Sequence, residues 1–211
     1  MLTRTQSIKE EFANSLSHGI GLMAALAAVP VLVVTAVQRG SPAGILGASV
    51  FAVTVVLLYT VSTLYHAIPS SRAKQLLKIL DHSAIFLLIA GTYTPFSLGV
   101  LRGPWGWTLF GIVWGLAFAG MALAVIGRAR YQKLSVCLYL LMGWLGLIVI
   151  KPLWFNMPAW GFFWLVAGGI TYTTGVAFFV AKNIRYNHFV WHLFVIAGTA
   201  CHFVAVIWYA T

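Results

Sequence analysis

The groups able to do chemistry in this chain are mostly histidines. "NHFVWH" sets His188 and His192 four residues apart. A helix rises about 1.5 Å per residue, so side chains four apart stand on one face, about 6 Å from each other along the axis. Two imidazoles so placed can grip one ion. "STLYH" ends on His66, a third nitrogen that reaches a similar depth once the chain is threaded as below. Three imidazoles with an open fourth position form the pattern of a catalytic zinc site. The alternative is interfacial histidines bonded to carbonyls or head groups. An oxygen-rich calcium site does not fit, because of the acids Glu10, Glu11 and Asp81 only one lies nearby.

The elements that must position these residues are membrane helices. Hydrophobic residues make up 61% of the chain and charged ones 8%, which places it outside the water-soluble range. Uncharged runs long enough to cross a hydrocarbon core of about 30 Å fall at seven places. They are 17–37, 44–66, 82–100, 105–126, 134–150, 159–181 and 188–209. The joining pieces are short and hold nearly all the charge, so residues 1–211 read as one all-α, seven-transmembrane bundle without repeats. The first run is longer than a signal-peptide core and "VVTAVQRG" lacks a small-x-small cleavage site, so it reads as retained. Before it, Ser7 and Glu10 are spaced as a capping box, with Ile8, Phe12 and Leu16 on one face. This predicts a short amphipathic interfacial helix over 7–16.

Basic residues orient the bundle. Arg4, Lys9, Arg72, Lys74, Lys78, Arg128, Arg130, Lys133, Lys182 and Arg185 fall on the amino-terminal side, ten of the thirteen, and Arg39, Arg102 and Lys151 on the other. The bias predicts a cytoplasmic amino terminus, an outward-facing carboxyl terminus and a multi-pass protein of the bacterial inner membrane. The net charge of +10 is spread over loops that meet anionic head groups, so membrane lipids are the expected partners and nucleic acid is not. Under this threading His18, His66, His82, His188 and His192 converge with Asp81 on one leaflet. His82 points about 100° away from Asp81 around its helix, and His202 lies about 15 Å beyond His192, so neither is placed in the metal shell.

Cys137 and Cys201 fall in different spans at different depths, which supports packing roles rather than a disulfide. Tryptophans in "GPWGWTLF" and "NMPAWGFFW" suit the interface, and the glycines of "VAGGITYTTG" suit close helix approach. The seventh span has no lysine for a retinal Schiff base. The spans also lack the ladder of acids expected of a cation channel.

Four ordered motifs, "EFANSLSH", "STLYH", "LDHSAIFLLIAGTYTPF" and "NHFVWH", make the chain resemble the hemolysin III proteins, the bacterial branch of the progestin and adipoQ receptor superfamily. The resemblance runs from about Glu11 to the carboxyl terminus. It implies a zinc ion near the cytoplasmic surface held by His66, His188 and His192. It further implies that Asp81 approaches the metal through water and that Ser62 stands one turn before His66. Asp81 is otherwise a charge favoured at a helix amino terminus. Ser62 reads as a hydrogen-bonder to the site rather than a nucleophile. Glu11, Asn14 and His18 either pin the first helix or act chemically. The long cytoplasmic region of the animal receptors is absent, so hormone reception is not carried over. The resemblance favours zinc-dependent, ceramidase-like hydrolysis of an amide or ester of a lipid entering laterally between helices. The alternatives are a structural zinc in a sensor of membrane state and, last, a cytolysin.

Overall fold

The computed structural model describes residues 6–127 and 132–211; Arg4, Arg128 and Arg130 of the basic set lie outside them. Eight α-helices follow one another, α1 (Ile8–Arg39), α2 (Pro42–Ala67), α3 (Arg72–Pro95), α4 (Gly103–Gly127), α5 (Gln132–Gly143), α6 (Ile150–Asn156), α7 (Ala159–Val180) and α8 (Asn187–Tyr209). A π-helical turn, Phe96–Leu101, extends α3, and a 3₁₀ turn, Leu145–Val149, joins α5 to α6. Together they make seven segments long and apolar enough to cross a membrane. The chain is an all-α, seven-helix membrane bundle.

Local sequence sets the ends. Ser7 and Glu10 complete the capping box that opens α1, and Gly40 closes it in the left-handed region at φ 71°, where a residue without Cβ sits freely. Ser41 with Pro42 starts α2, and Ser71 accepts the Lys74 N–H to start α3.

Three expectations are corrected. The amphipathic segment 7–16 is not a separate interfacial helix, because no residue there breaks the hydrogen-bond ladder and it forms the opening turns of α1. Its polarity is also inverted: Ile8, Phe12, Leu16 and Ile20 are exposed, whereas Glu10, Asn14, Ser17 and His18 are buried. Next, the fifth crossing is not an unbroken span over 134–150 but Lys133–Asn156, interrupted at Trp144. Pro152 cannot donate within a helix interior, and restarting the helix at Ile150 puts it in a first turn, where no donor is needed. The Tyr93 hydroxyl bridges the break, donating to Gly143 O and accepting from Gly146 N, both at 2.9 Å, so backbone groups freed at membrane depth are satisfied. Finally, Cys137 is exposed rather than packed, since its side of α5 faces away from the bundle.

The interior is built from α2, α3 and α8, whose spans are 50–56% buried, against 17–28% for the others. Lipid tails are as apolar as the side chains, so close packing carries helix association here. A Cβ at Gly91 would run into Thr54, and one at Gly47 would meet the Pro95 backbone, which is how α3 lies tight on α2. α1 packs on both α2 and α8, and the last turn of α2 lies beside the first turns of α8.

Candidate metal centre

The last turn of α2 carries His66 and the first two turns of α8 carry His188 and His192, all buried. Each offers one ring nitrogen, and the three lie within 4.8 Å of one another. The ring planes cross steeply, at 53° for His66 and His188, 69° for His66 and His192, and 61° for His188 and His192. A nitrogen lone pair lies in its ring plane, so crossing planes let three lone pairs meet at one point. The Nε2 atoms of His66 and His188 are buried without a hydrogen-bond partner, which fits donors awaiting an ion.

The opposite edges of two rings are committed. Glu11 Oε2 lies 2.7 Å from His66 Nδ1; a carboxylate only accepts, so Nδ1 carries the proton and Nε2 keeps its lone pair. His192 Nδ1 lies 3.1 Å from both Asn14 O and Ser17 Oγ. The Ser17 hydroxyl already donates to Asn14 O at 2.9 Å, so towards His192 it accepts, and Nε2 is again the free donor. Such partners fix the tautomer and orientation of metal-binding imidazoles and raise their basicity. Lys74 Nζ pairs with the other Glu11 oxygen at 3.1 Å and ties α1 to the start of α3.

Beside the triad is a chamber of about 20 Å³, lined by His18, Ser62, Asp81 and His82 as well as His188 and His192. It brings four of the five converging histidines together with the acid, and the His66 ring lies tilted against His188 with centroids 5.0 Å apart. Asp81 is buried, with its Oδ2 3.9 Å from His82 Nδ1. His82 Nδ1 itself donates to Lys78 O at 2.8 Å, and His82 reaches the chamber wall without joining the triad. Ser62 Oγ has no partner, so no serine–histidine hydrogen bond exists to activate it as a nucleophile. His202 is elsewhere: its Nε2 meets Leu165 O on α7 at 3.1 Å, and its ring occupies the space left by Gly168.

The chamber shares Leu58, Ile85, Trp191 and Val195 with a much larger apolar cavity of about 160 Å³ between α3, α5, α7 and α8. Towards the loop ends, Lys182 lies 4.2 Å from the centroid of Phe179, a chamber residue. Burial, with the nearby Lys78 charge, pushes the Lys182 ammonium below its ordinary range.

Sequence reasoning left the first-helix motif between two roles; Glu11 and Asn14 bond the rings of His66 and His192, whereas neither ring nitrogen of His18 has a hydrogen-bond partner. It gave Glu10 the capping box alone, which its Oε2 completes, and missed that its Oε1 accepts the Tyr186 N–H at 2.8 Å. Tyr186 is in the left-handed region at φ 57°, directly before α8, so this bond sets where the His188 turn begins. The available signal was spacing. Glu10, Glu11, Asn14, Ser17 and His18 share one helical face, and a polar stripe beside an apolar run points inward in a membrane.

The family described as Haemolysin-III related matches residues 6–203. The chain belongs to this family. Hemolysin-3 of Bacillus cereus is 45% identical over 209 residues, 99% of this chain and 95% of that protein. The Hemolysin-3 homolog of Bacillus subtilis (strain 168) is 44% identical over 203 residues, covering 96% and 95%. More distantly, the human Monocyte to macrophage differentiation factor is 28% identical over 159 residues, 71% of this chain and 64% of its own length, which extends the likeness to the wider receptor superfamily. No solved structure matches the chain. As a haemolysin-III-related protein with seven apolar helices, it is a multi-pass protein of the bacterial cell membrane.

Proposed function

We propose that this protein is a zinc-dependent hydrolase acting on an amide or ester bond of a membrane lipid, with its centre at the cytoplasmic side of the bilayer. The observation that carries the reading is the shared wall between a polar chamber and an apolar cavity, which suits a ligand with a carbonyl at one end and an acyl chain at the other. His66, His188 and His192 hold the ion. Zinc, when bound, lowers the pKa of water and polarises carbonyls. Asp81 takes the proton from the attacking water and returns it to the leaving nitrogen or oxygen, a role open to it because its carboxylate lines the chamber with no strong competing partner. Ser62 contributes a hydrogen bond within the chamber. The surrounding apolar wall limits water to the reacting end. Cleavage gives a fatty acid and an amine or alcohol, and the lipid reaches the site laterally from the bilayer.

The test is release of fatty acid from ceramide and phospholipid panels in nanodiscs, with zinc measured alongside. Asp81→Asn keeps the ion, because three imidazoles remain, and slows hydrolysis by about 10²–10⁴-fold, the usual worth of acid–base help. Full zinc in the unaltered protein with no hydrolysis of any lipid in the panel would leave the second reading, a structural zinc in a regulator of membrane state. The brace from α1 to both ligand helices favours that alternative, since an ion there locks elements far apart in sequence.

A further inference from the structure

One buried imidazole at the centre is neither a ligand nor a brace. His18 is 3% exposed, both of its ring nitrogens lack a hydrogen-bond partner, and it lines the small chamber with Ser62 and Asp81. Its ring is stacked on His192 with centroids 3.5 Å apart and planes 8° from parallel. Lone pairs in two parallel planes do not meet at one point, so His18 as it stands cannot complete a tetrahedron with His192. The edge of Tyr59 packs against it at 5.1 Å and 69°, leaving the ring clamped between an aromatic edge and a ligand face.

A neutral imidazole presents one N–H and one lone pair, and nature rarely leaves both unused in a dry site. The same holds for Ser62 Oγ, 1% exposed and likewise unpartnered. The chamber these groups share, about 20 Å³, has room for a single oxygen, since one water needs about 10–15 Å³. A lipid whose acyl chain filled the adjoining apolar cavity, which shares Leu58, Ile85, Trp191 and Val195 with the chamber, would bring its carbonyl oxygen here first.

We infer that His18 is the residue that receives and orients the acyl carbonyl oxygen of the ligand, with Ser62 as the second hydrogen-bond partner. The inference rests on the metal reading above and adds a specificity: head groups with a carbonyl next to the metal-binding atoms are favoured over those without one. His18 thus belongs to ligand recognition rather than to metal binding.

Two probes with equal tails separate these roles. Octanohydroxamate carries a carbonyl, and octanethiol binds zinc through sulfur without one. Affinities are measured for the full-length protein in nanodiscs, unaltered and as His18→Phe and His18→Gln, with zinc content determined for each. The expected result is unchanged zinc in all three, hydroxamate binding weakened about tenfold in His18→Phe, the upper worth of one neutral hydrogen bond, and largely restored in His18→Gln, which keeps a donor at similar reach. Octanethiol binding changes by less than about twofold, as it makes no such bond. Equal weakening of both probes, or hydroxamate binding indifferent to His18 while zinc is present, overturns the assignment and leaves the hydrolase reading standing. Loss of zinc in both variants also overturns it, by making His18 part of the metal shell. Unaltered protein that takes up no zinc overturns the metal reading and this inference with it.

Discussion

The Glu11 carboxylate holds the Nδ1 edge of His66 at 2.7 Å, so a residue of the first helix decides which nitrogen of a second-helix imidazole is free. Glu11→Gln removes the charge that raises the basicity of that ring. Metal affinity in competition with a chelator is expected to fall about 10–100-fold, the usual effect of losing such a partner. Lys74→Gln, which breaks the outer ion pair and the ammonium's bond to Ile68 O but leaves the Glu11–His66 contact in place, is expected to lower metal affinity far less. Matching affinities for Glu11→Gln and the unaltered chain would refute the bracing role.

Purified protein is expected to carry about one zinc per chain. His66→Ala, His188→Ala and His192→Ala each lower zinc content and thermal stability together, because binding to ligands on two helices is coupled to their packing. His202→Ala leaves the metal in place, as that ring bonds Leu165 instead. Elemental analysis beside thermal melts decides the matter; zinc loss in His202→Ala equal to that in His192→Ala counts against the triad.

Threaded through seven crossings, the sequence puts ten of its thirteen basic residues on the amino-terminal side, and retention of Lys and Arg in the cytoplasm predicts the orientation. Reporter fusions are expected to place the segments Arg72–Lys78 and Arg128–Lys133 in the cytoplasm and Thr211 outside. The reverse labelling pattern would put the centre on the outer face.

Tyr93→Phe strips the hydroxyl that bridges Gly143 and Gly146 across the break in the fifth crossing. Two backbone groups are left unpaired at membrane depth, at about 1–3 kcal/mol for a buried unsatisfied group. The melting temperature in detergent falls while zinc content holds. An unchanged melt shows that the 3₁₀ turn finds other partners.

How far the sequence reveals all this depends on range. Long apolar runs declare the seven crossings because their length alone meets the bilayer, and the pair His188 and His192 declares itself because four-residue spacing is a local property of a helix. The break at Trp144 is not legible in hydropathy, which ignores backbone hydrogen bonding; only Pro152, with Gly143 and Gly146, hints at it. The bonds from Glu11 to His66 and from Glu10 to Tyr186 join positions 55 and 176 residues apart. No local pattern encodes such pairings, although the polar stripe on α1 announces that partners must exist.

The bond between Asn14 O and His192 Nδ1 spans 178 residues, and this has a consequence for biogenesis. During synthesis α1 enters the bilayer long before α8 has been made. Through that interval the stripe of Glu10, Asn14, Ser17 and His18 lacks the helix that covers it, and must be sheltered by the insertion machinery or turned from the lipid. Arrival of α8 both closes the stripe and completes the cluster of His66, His188 and His192, so an ion bound there would be loaded only after the final insertion step. A chain stalled before Asn187 is left with a polar seam facing hydrocarbon, the kind of lesion by which a membrane protease tells an unfinished protein from a finished one.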